Sequence, residues 1–273
     1  MRPRILFVFD HKYENIWRDG LWAALELLKK DFVIDRWNLQ NGNNFITTEY
    51  DFILGWGAFG SSVDLELRKN HRFWGKRGLC IAGNARLPYD LDLYEVLFYE
   101  TSWYENQISG YKNKFKAFGI NTDIYNNTKD NTFNCYKIWD YTTVGAFALW
   151  KRQEKLTIKE GVKLAIGEVQ KDNLEESMEI IFNLLHRGVM VSDMVAPEKL
   201  ADILNHTETL YIPADVNGGG ERAILEGLAC GCKVEVEDDN PKLNGLLRDA
   251  KERGVPDHKN YAEQLRKGIL SCL

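Results

Sequence analysis

Short runs of branched and aromatic residues alternate along this chain with longer segments in which apolar side chains recur every three or four positions. The first run, RILFVFD (4–10), is followed by polar HKYEN and then by WRDGLWAALELLKK, where Trp17, Leu21, Ala24, Leu25 and Leu28 recur at helical intervals. The pattern predicts a strand, a loop and a helix. FVIDRWNL (32–39), YDFILGWG (50–57), RGLCIAG (77–83) and YEVLFYE (94–100) repeat the strand pattern, with helical or turn-rich stretches between them. Strands that are apolar almost throughout, alternating with helices, predict an α/β protein whose parallel sheet is covered on both faces.

Between about 120 and 135 the periodicity gives way to INTDIYNNTKDNTFNCY, a polar, Asn-rich stretch read as a domain crossover. Strand and helix patterns then resume with YTTVGAFA (141–148), VKLAIGEV (162–169), EESMEIIFNLLHRG (175–188), GVMVSDMV (188–195), PEKLADILNHT (197–207), TLYIPAD (209–215), a helix over 221–230, and CKVEVED (232–238). The expected organisation is two doubly wound, Rossmann-like domains, 1–133 and 134–256, with a cleft between them and a last helix, about 257–273, packing back on the first. In such sheets ligands bind beyond the carboxyl ends of the strands.

The length of 273 residues suits two domains. A net charge of -5 provides no global attraction to nucleic acid or acidic membranes. No apolar run approaches the roughly 18 residues that span a bilayer. The start, MRPRILFVFDHKYEN, lacks a small-residue cleavage site, so a cytoplasmic protein is expected. Five scattered cysteines do not form a disulfide framework, and the Cys230, Cys232 pair has no second Cys or His pair at zinc spacing.

The segment that asks for an explanation is NGGGERAILEGLACGCKVEVE (217–237), where three glycines precede an apolar helix pattern. Glycine weakens a helix by about 1 kcal/mol relative to alanine, so three before a helix suggest a need for bare backbone. The unpaired amides and positive dipole of a helix start suit a phosphate or a polar hydroxylated ligand. Two readings stay open on these residues alone: a ligand-facing loop, or a flexible connection with Glu226 as a solvated helix residue. The acidic VEDDN (236–240) offers Glu237, Asp238 and Asp239 as a metal-holding group, or as an ordinary acidic turn after a strand.

GGGERAILEGLACGCKV resembles the C-terminal signature of the retaining GT-B glycosyltransferases of family 4: a glutamate, a glycine-containing loop, an apolar stretch, a second glutamate and then AxACGxPV. Glu226 stands where the second glutamate stands, and the first would fall on Gly218. FGINTDIYN (118–126) resembles the family's GVDTDxF segment, and VGAFALWKRQEKL (144–156) its VGRLxxxKxxxxL, with Lys151 at the lysine and Ala146 at the arginine. The resemblance, which covers about 118–245, implies a GT-B fold and a nucleotide-sugar donor such as a UDP- or GDP-sugar, with no cofactor and no metal. It implies that Lys151 grips the diphosphate, that Arg152 or Arg222 replaces the missing arginine, and that Glu226 holds the ribose. The sugar contact passes to Gly219 and Gly220 amides, with Gly218 in the same loop, or to Glu221.

The first half supplies further polar candidates: Asp10 and His11 after the first strand, Asn84 and Arg86 in AGNARLP, and Glu100. Lys151, His11 and Asn84 are the expected catalytic groups. The acceptor is read as a glycan, a lipid-linked saccharide or another hydroxyl compound. A narrower alternative is transfer to hydroxymethylated DNA bases, since GNARLPYD resembles the DIRLPF segment of DNA β-glucosyltransferases, with Asn84 where the catalytic aspartate stands. The basic run RKNHRFWGKRG (68–78) would then meet phosphates. A second alternative is a non-catalytic module that binds a nucleotide sugar.

Overall fold

The structure, a computed structural model, describes residues 2–11, 19–41, 49–69, 75–82, 93–127 and 136–273. The chain divides into two compact units, Met1–Gly119 with Asp257–Leu273, and Ile120–Pro256.

The first unit is built on six parallel strands, β1 (Arg4–Phe9), β2 (Val33–Asn38), β3 (Phe52–Gly57), β4 (Lys76–Ile81), β5 (Val96–Tyr99) and β6 (Lys114–Lys116), in the order β2-β1-β3-β4-β5-β6. Ile5 lies opposite both Ile34 and Phe52, which places β1 inside the sheet and explains its unbroken apolar run. One core cluster joins Leu6, Val8, Ile53, Leu79 and Leu97 to Val63 and Leu67 of α2 (Ser62–Lys69). Phe7 and Phe9 instead meet the Trp22 ring of α1 (Gly20–Leu28) edge-on. The Asp19 side chain caps α1 by accepting the Trp22 amide at 2.9 Å. α3 (Ser102–Gln107) follows β5, and β6, which the sequence pattern did not reveal, closes the sheet.

The second unit has five parallel strands, β7 (Trp139–Val144), β8 (Lys163–Gly167), β9 (Met190–Asp193), β10 (Thr207–Ile212) and β11 (Lys233–Val236), in the order β11-β10-β7-β8-β9. Its helices are α4 (Leu174–His186), α5 (Pro197–Asn205), α6 (Glu221–Ala229) and α7 (Pro241–Arg253). Phe147, Leu156, Ala165, Ile180, Leu184 and Tyr211 form one core cluster. The division falls at Gly119, ahead of the 133/134 boundary expected from composition. The Ile120 amide donates to the Pro256 carbonyl at 3.1 Å and the Asn205 side chain donates to the Asn126 carbonyl at 3.1 Å, so the start of the polar stretch is tied into the second unit.

The last helix, α8 (His258–Leu270), belongs to the first unit and packs on α1, β5 and β6. Arg266 pairs with Asp31 at 3.1 Å, and the Tyr261 ring meets Phe118 edge-on. Among the described residues no helix is long and apolar enough to cross a membrane.

Candidate functional site

In the second sheet β8 and β9 extend from one side of β7, and β10 and β11 from the other. The strand order therefore reverses between β7 and β10, and ligands of open α/β sheets settle beyond the carboxyl ends at such a point. Two loops leave there, one after Val144 and one after Ile212. They are joined by three hydrogen bonds: the Asp215 amide to the Trp150 carbonyl (3.0 Å), Arg152 Nε to the Pro213 carbonyl (2.8 Å), and Lys151 Nζ to the Gly219 carbonyl (2.9 Å).

The loop before α6 is also ordered from within. The Asp215 carboxylate accepts the Asn217 and Gly218 amides at 2.8 and 3.1 Å, an Asx turn. Buried Asn240 donates to the Ala214 and Asp215 carbonyls at 2.9 and 2.8 Å while its own oxygen caps α7 through the Leu243 amide. Two of the three glycines are required by this packing. Gly220, the residue that caps α6, has φ of +151°, and a Cβ there would lie 2.7 Å from Ile212 Cγ2. A Cβ on Gly218 would lie 2.7 Å from the Trp150 carbonyl oxygen, so a glutamate at this position would displace backbone. Gly220→Ala is expected to cost about 2 kcal/mol from backbone strain and overpacking. The melting temperature should fall by about 4 to 8 °C, measurable by calorimetry.

Charged side chains surround the loop. Glu221 is buried; one carboxylate oxygen accepts the Gly220 amide at 2.8 Å and the other lies 2.7 Å from Lys242 Nζ. Burial pulls the Lys151 ammonium down to about 8; Glu221 opposes this, and Lys242 and Arg222 add to it. Glu226, also buried, lies 3.4 Å from Arg222 Nε. The positive end of α6, the Lys151 ammonium and the buried Glu221 carboxylate therefore share one strand-end site, with Glu226 buried further along the same helix.

Lys151, Gly218, Gly219, Gly220 and Glu221 are thus gathered around one loop, with Arg222 acting on Lys151 and Glu226 paired to Arg222 one turn further along α6; two stretches far apart in the chain supply them. Arg152 is next to them but its guanidinium is engaged elsewhere. It adopts left-handed φ of 49° and grips Asp239 with two bonds of 2.7 and 2.8 Å. Lys155 and Lys159 continue the series with Glu237 (2.5 Å) and Glu235 (3.1 Å), and Tyr211 donates to Glu237. Burial pushes the Glu237 carboxyl up, but Lys155 and Tyr211 outweigh it and leave the group below the ordinary range. Two of the three acidic side chains considered for a metal are consequently held by cations and a hydroxyl. Among the described residues no group of three His, Cys, Asp or Glu is gathered to hold a metal ion.

His11 lies in the first unit beyond β1, where its amide donates to Asn38 (3.3 Å) and its carbonyl accepts from Asn38 (2.8 Å). Neighbouring Asp10 accepts from Ser62 and Gln40. Asn84 and Arg86 lie outside the described residues. The residue that sequence reasoning missed is Lys242. Its one signal, a lysine in a first helical turn where it opposes the dipole, can be read only once α7 is recognised.

No family model matches the sequence, and no curated protein does. Solved structures do match over nearly the whole chain. Sucrose-phosphate synthase from Thermosynechococcus elongatus is 12% identical with a TM-score of 0.63, covering 99% of this chain and 95% of its own. AviGT4, a glycosyltransferase involved in avilamycin A biosynthesis, is 9% identical with a TM-score of 0.63 and coverage of 99% and 98%. Anabaena HepE, solved with UDP and glucose, is 9% identical with a TM-score of 0.62 and coverage of 99% and 97%. What this chain shares with these structures is the fold, two parallel-sheet, Rossmann-like α/β units of the GT-B class.

Proposed function

We propose that this protein is a glycosyltransferase that moves a sugar from a nucleotide-sugar donor to a hydroxyl acceptor, a glycan or lipid-linked saccharide, with retention at the anomeric carbon and without a metal ion. The observation that carries the reading is the convergence of the Lys151 ammonium, the Gly218–Gly220 loop and the start of α6 where the strand order reverses, with Glu226 buried on the same helix. The bound UDP and glucose of HepE support the donor class.

In this reading the donor diphosphate meets Lys151 and the amides at the start of α6, groups fixed before reaction and aimed at the charge the leaving group gains. Glu226 accepts hydrogen bonds from the ribose hydroxyls. Glu221, Arg222 and the Gly219 and Gly220 backbone border the sugar, and Arg152 adds positive potential while paired with Asp239. The bond from C1 to the phosphate oxygen breaks as the acceptor oxygen bonds C1 from the same face. The acceptor's proton goes to the departing phosphate oxygen, so no carboxylate nucleophile is required. His11 and Asn84 are assigned to the sugar and acceptor side.

The test is thermal stabilisation across UDP-, GDP-, ADP- and CMP-sugars, with and without EDTA. Donor at about 100 times its dissociation constant adds about 2.7 kcal/mol of stability. A shift with one nucleotide class that survives EDTA is the expected result, followed by sugar transfer in acceptor screens. No shift with any donor would overturn the reading; a shift without transfer or donor hydrolysis would leave a binding module.

A further inference from the structure

Each of the three consecutive glycines is held by a different charged side chain. Lys242 Nζ lies 3.4 Å from the Gly218 carbonyl, Lys151 Nζ lies 2.9 Å from the Gly219 carbonyl, and the Glu221 carboxylate takes the Gly220 amide at 2.8 Å. Lys151 and Glu221 stand on the two loops or at their ends, whereas Lys242 reaches in from α7. Its side chain is wholly buried and that of Glu221 is 7% exposed, with 2.7 Å between the charged atoms.

A buried ion pair is a costly way to fill space, because both charges give up water and apolar residues of similar volume often serve stability as well. Lys242 is also badly placed for its own helix, since a cation in the first turn opposes the dipole. Its contacts include the Gly218 carbonyl of the glycine loop and the Glu221 carboxylate that orders that loop.

We propose that Lys242 is a positioning residue of this site, which through its ion pair with Glu221 holds the Gly218–Gly220 loop in shape and keeps Lys151 aimed along it. The loop geometry is the basis of the proposal; its consequence for donor affinity rests on the function proposed above. The charges facing Lys151 are Glu221 and Arg222 of α6, Lys242 of α7 and Asp215 of the loop. Glu221 favours the Lys151 ammonium and Lys242 disfavours it. Removing one member of the pair should therefore move the Lys151 titration one way, and removing the other should move it the opposite way.

The experiment uses the full chain with selectively 13C-labelled lysine, the Lys151 signal being assigned by its loss in Lys151→Met. In Lys242→Met the Lys151 titration should move to higher pH, and in Glu221→Gln to lower pH. Shifts of the same sign, or none, would overturn the proposal, and this arm requires no ligand. The double variant Lys242→Met with Glu221→Leu replaces the pair by apolar groups and guards against misfolding of either single variant. It should melt close to the parent yet bind UDP, or whichever nucleoside diphosphate stabilises the parent, about 10-fold more weakly. Parent-like affinity in a folded double variant would also overturn the proposal. If the parent itself binds no nucleoside diphosphate, the donor reading fails separately and the lysine titrations still test the coupling of Lys242 and Glu221 to Lys151.

Discussion

Lys151→Ala is expected to lower turnover by about 10²- to 10³-fold, the loss typical when one preorganised donor to a developing negative charge is removed. Its ammonium donates to the Gly219 carbonyl at 2.9 Å and is half-buried, so it is held in place before a ligand arrives. Donor affinity should fall as well, and calorimetry with the nucleoside diphosphate measures that part separately. The charge carries a pH signature. Burial lowers the Lys151 ammonium to about 8, so affinity for the diphosphate should fall as pH rises through about 8. Stability should behave oppositely. Free lysine titrates near about 10.4, so between about 8 and that value the unfolded chain holds a proton that the folded chain has released. The contribution of Lys151 to stability therefore rises with pH across this window. Binding that weakens while the melting temperature of the parent rises relative to Lys151→Ala is the expected pair of results, and binding independent of pH from 7 to 9 would speak against the role given to Lys151.

Glu226→Ala should weaken nucleotide binding by about 10- to 100-fold, the range for losing a hydrogen bond to a charged group. The expected change in stability is smaller, because Arg222, its ion-pair partner, has a side chain 47% exposed and can turn to water. Comparing the diphosphate with its nucleoside separates the two roles. Loss of the ribose contact weakens both ligands, whereas Lys151→Ala weakens only the diphosphate. Equal affinity of the parent and Glu226→Ala for the nucleoside would remove Glu226 from the ribose.

Much of the fold was legible because buried parallel strands write themselves as unbroken apolar runs. Ile5 to Phe9 and Phe52 to Leu54 are buried strand residues in runs of this kind. β6 was not legible: Lys114, Phe115 and Lys116 form a three-residue strand at the sheet edge, with one apolar residue. α7 is hidden in the sequence for a related reason. Its buried Leu243, Leu246 and Ala250 are interrupted by Gly245 and by charged side chains, leaving a weak apolar face. The Asn-rich stretch looked like a boundary, yet Asn126 is bonded into the second unit, a contact made with a residue far along the chain.

By itself the sequence determined the alternation of strand and helix, and with it two parallel-sheet units, because hydrophobic period is a local property read over a few residues. It also marked Lys151, Glu226 and the three glycines as the residues worth watching. The tertiary structure alone decided what those residues meet. Gly218 and Gly220 are forced by Trp150 and Ile212, Arg152 is committed to Asp239, and Lys242 is buried against Glu221. Each of these depends on close approach between groups distant in sequence, and neither composition nor spacing encodes whether a charge is paired, shielded from water or open to a ligand.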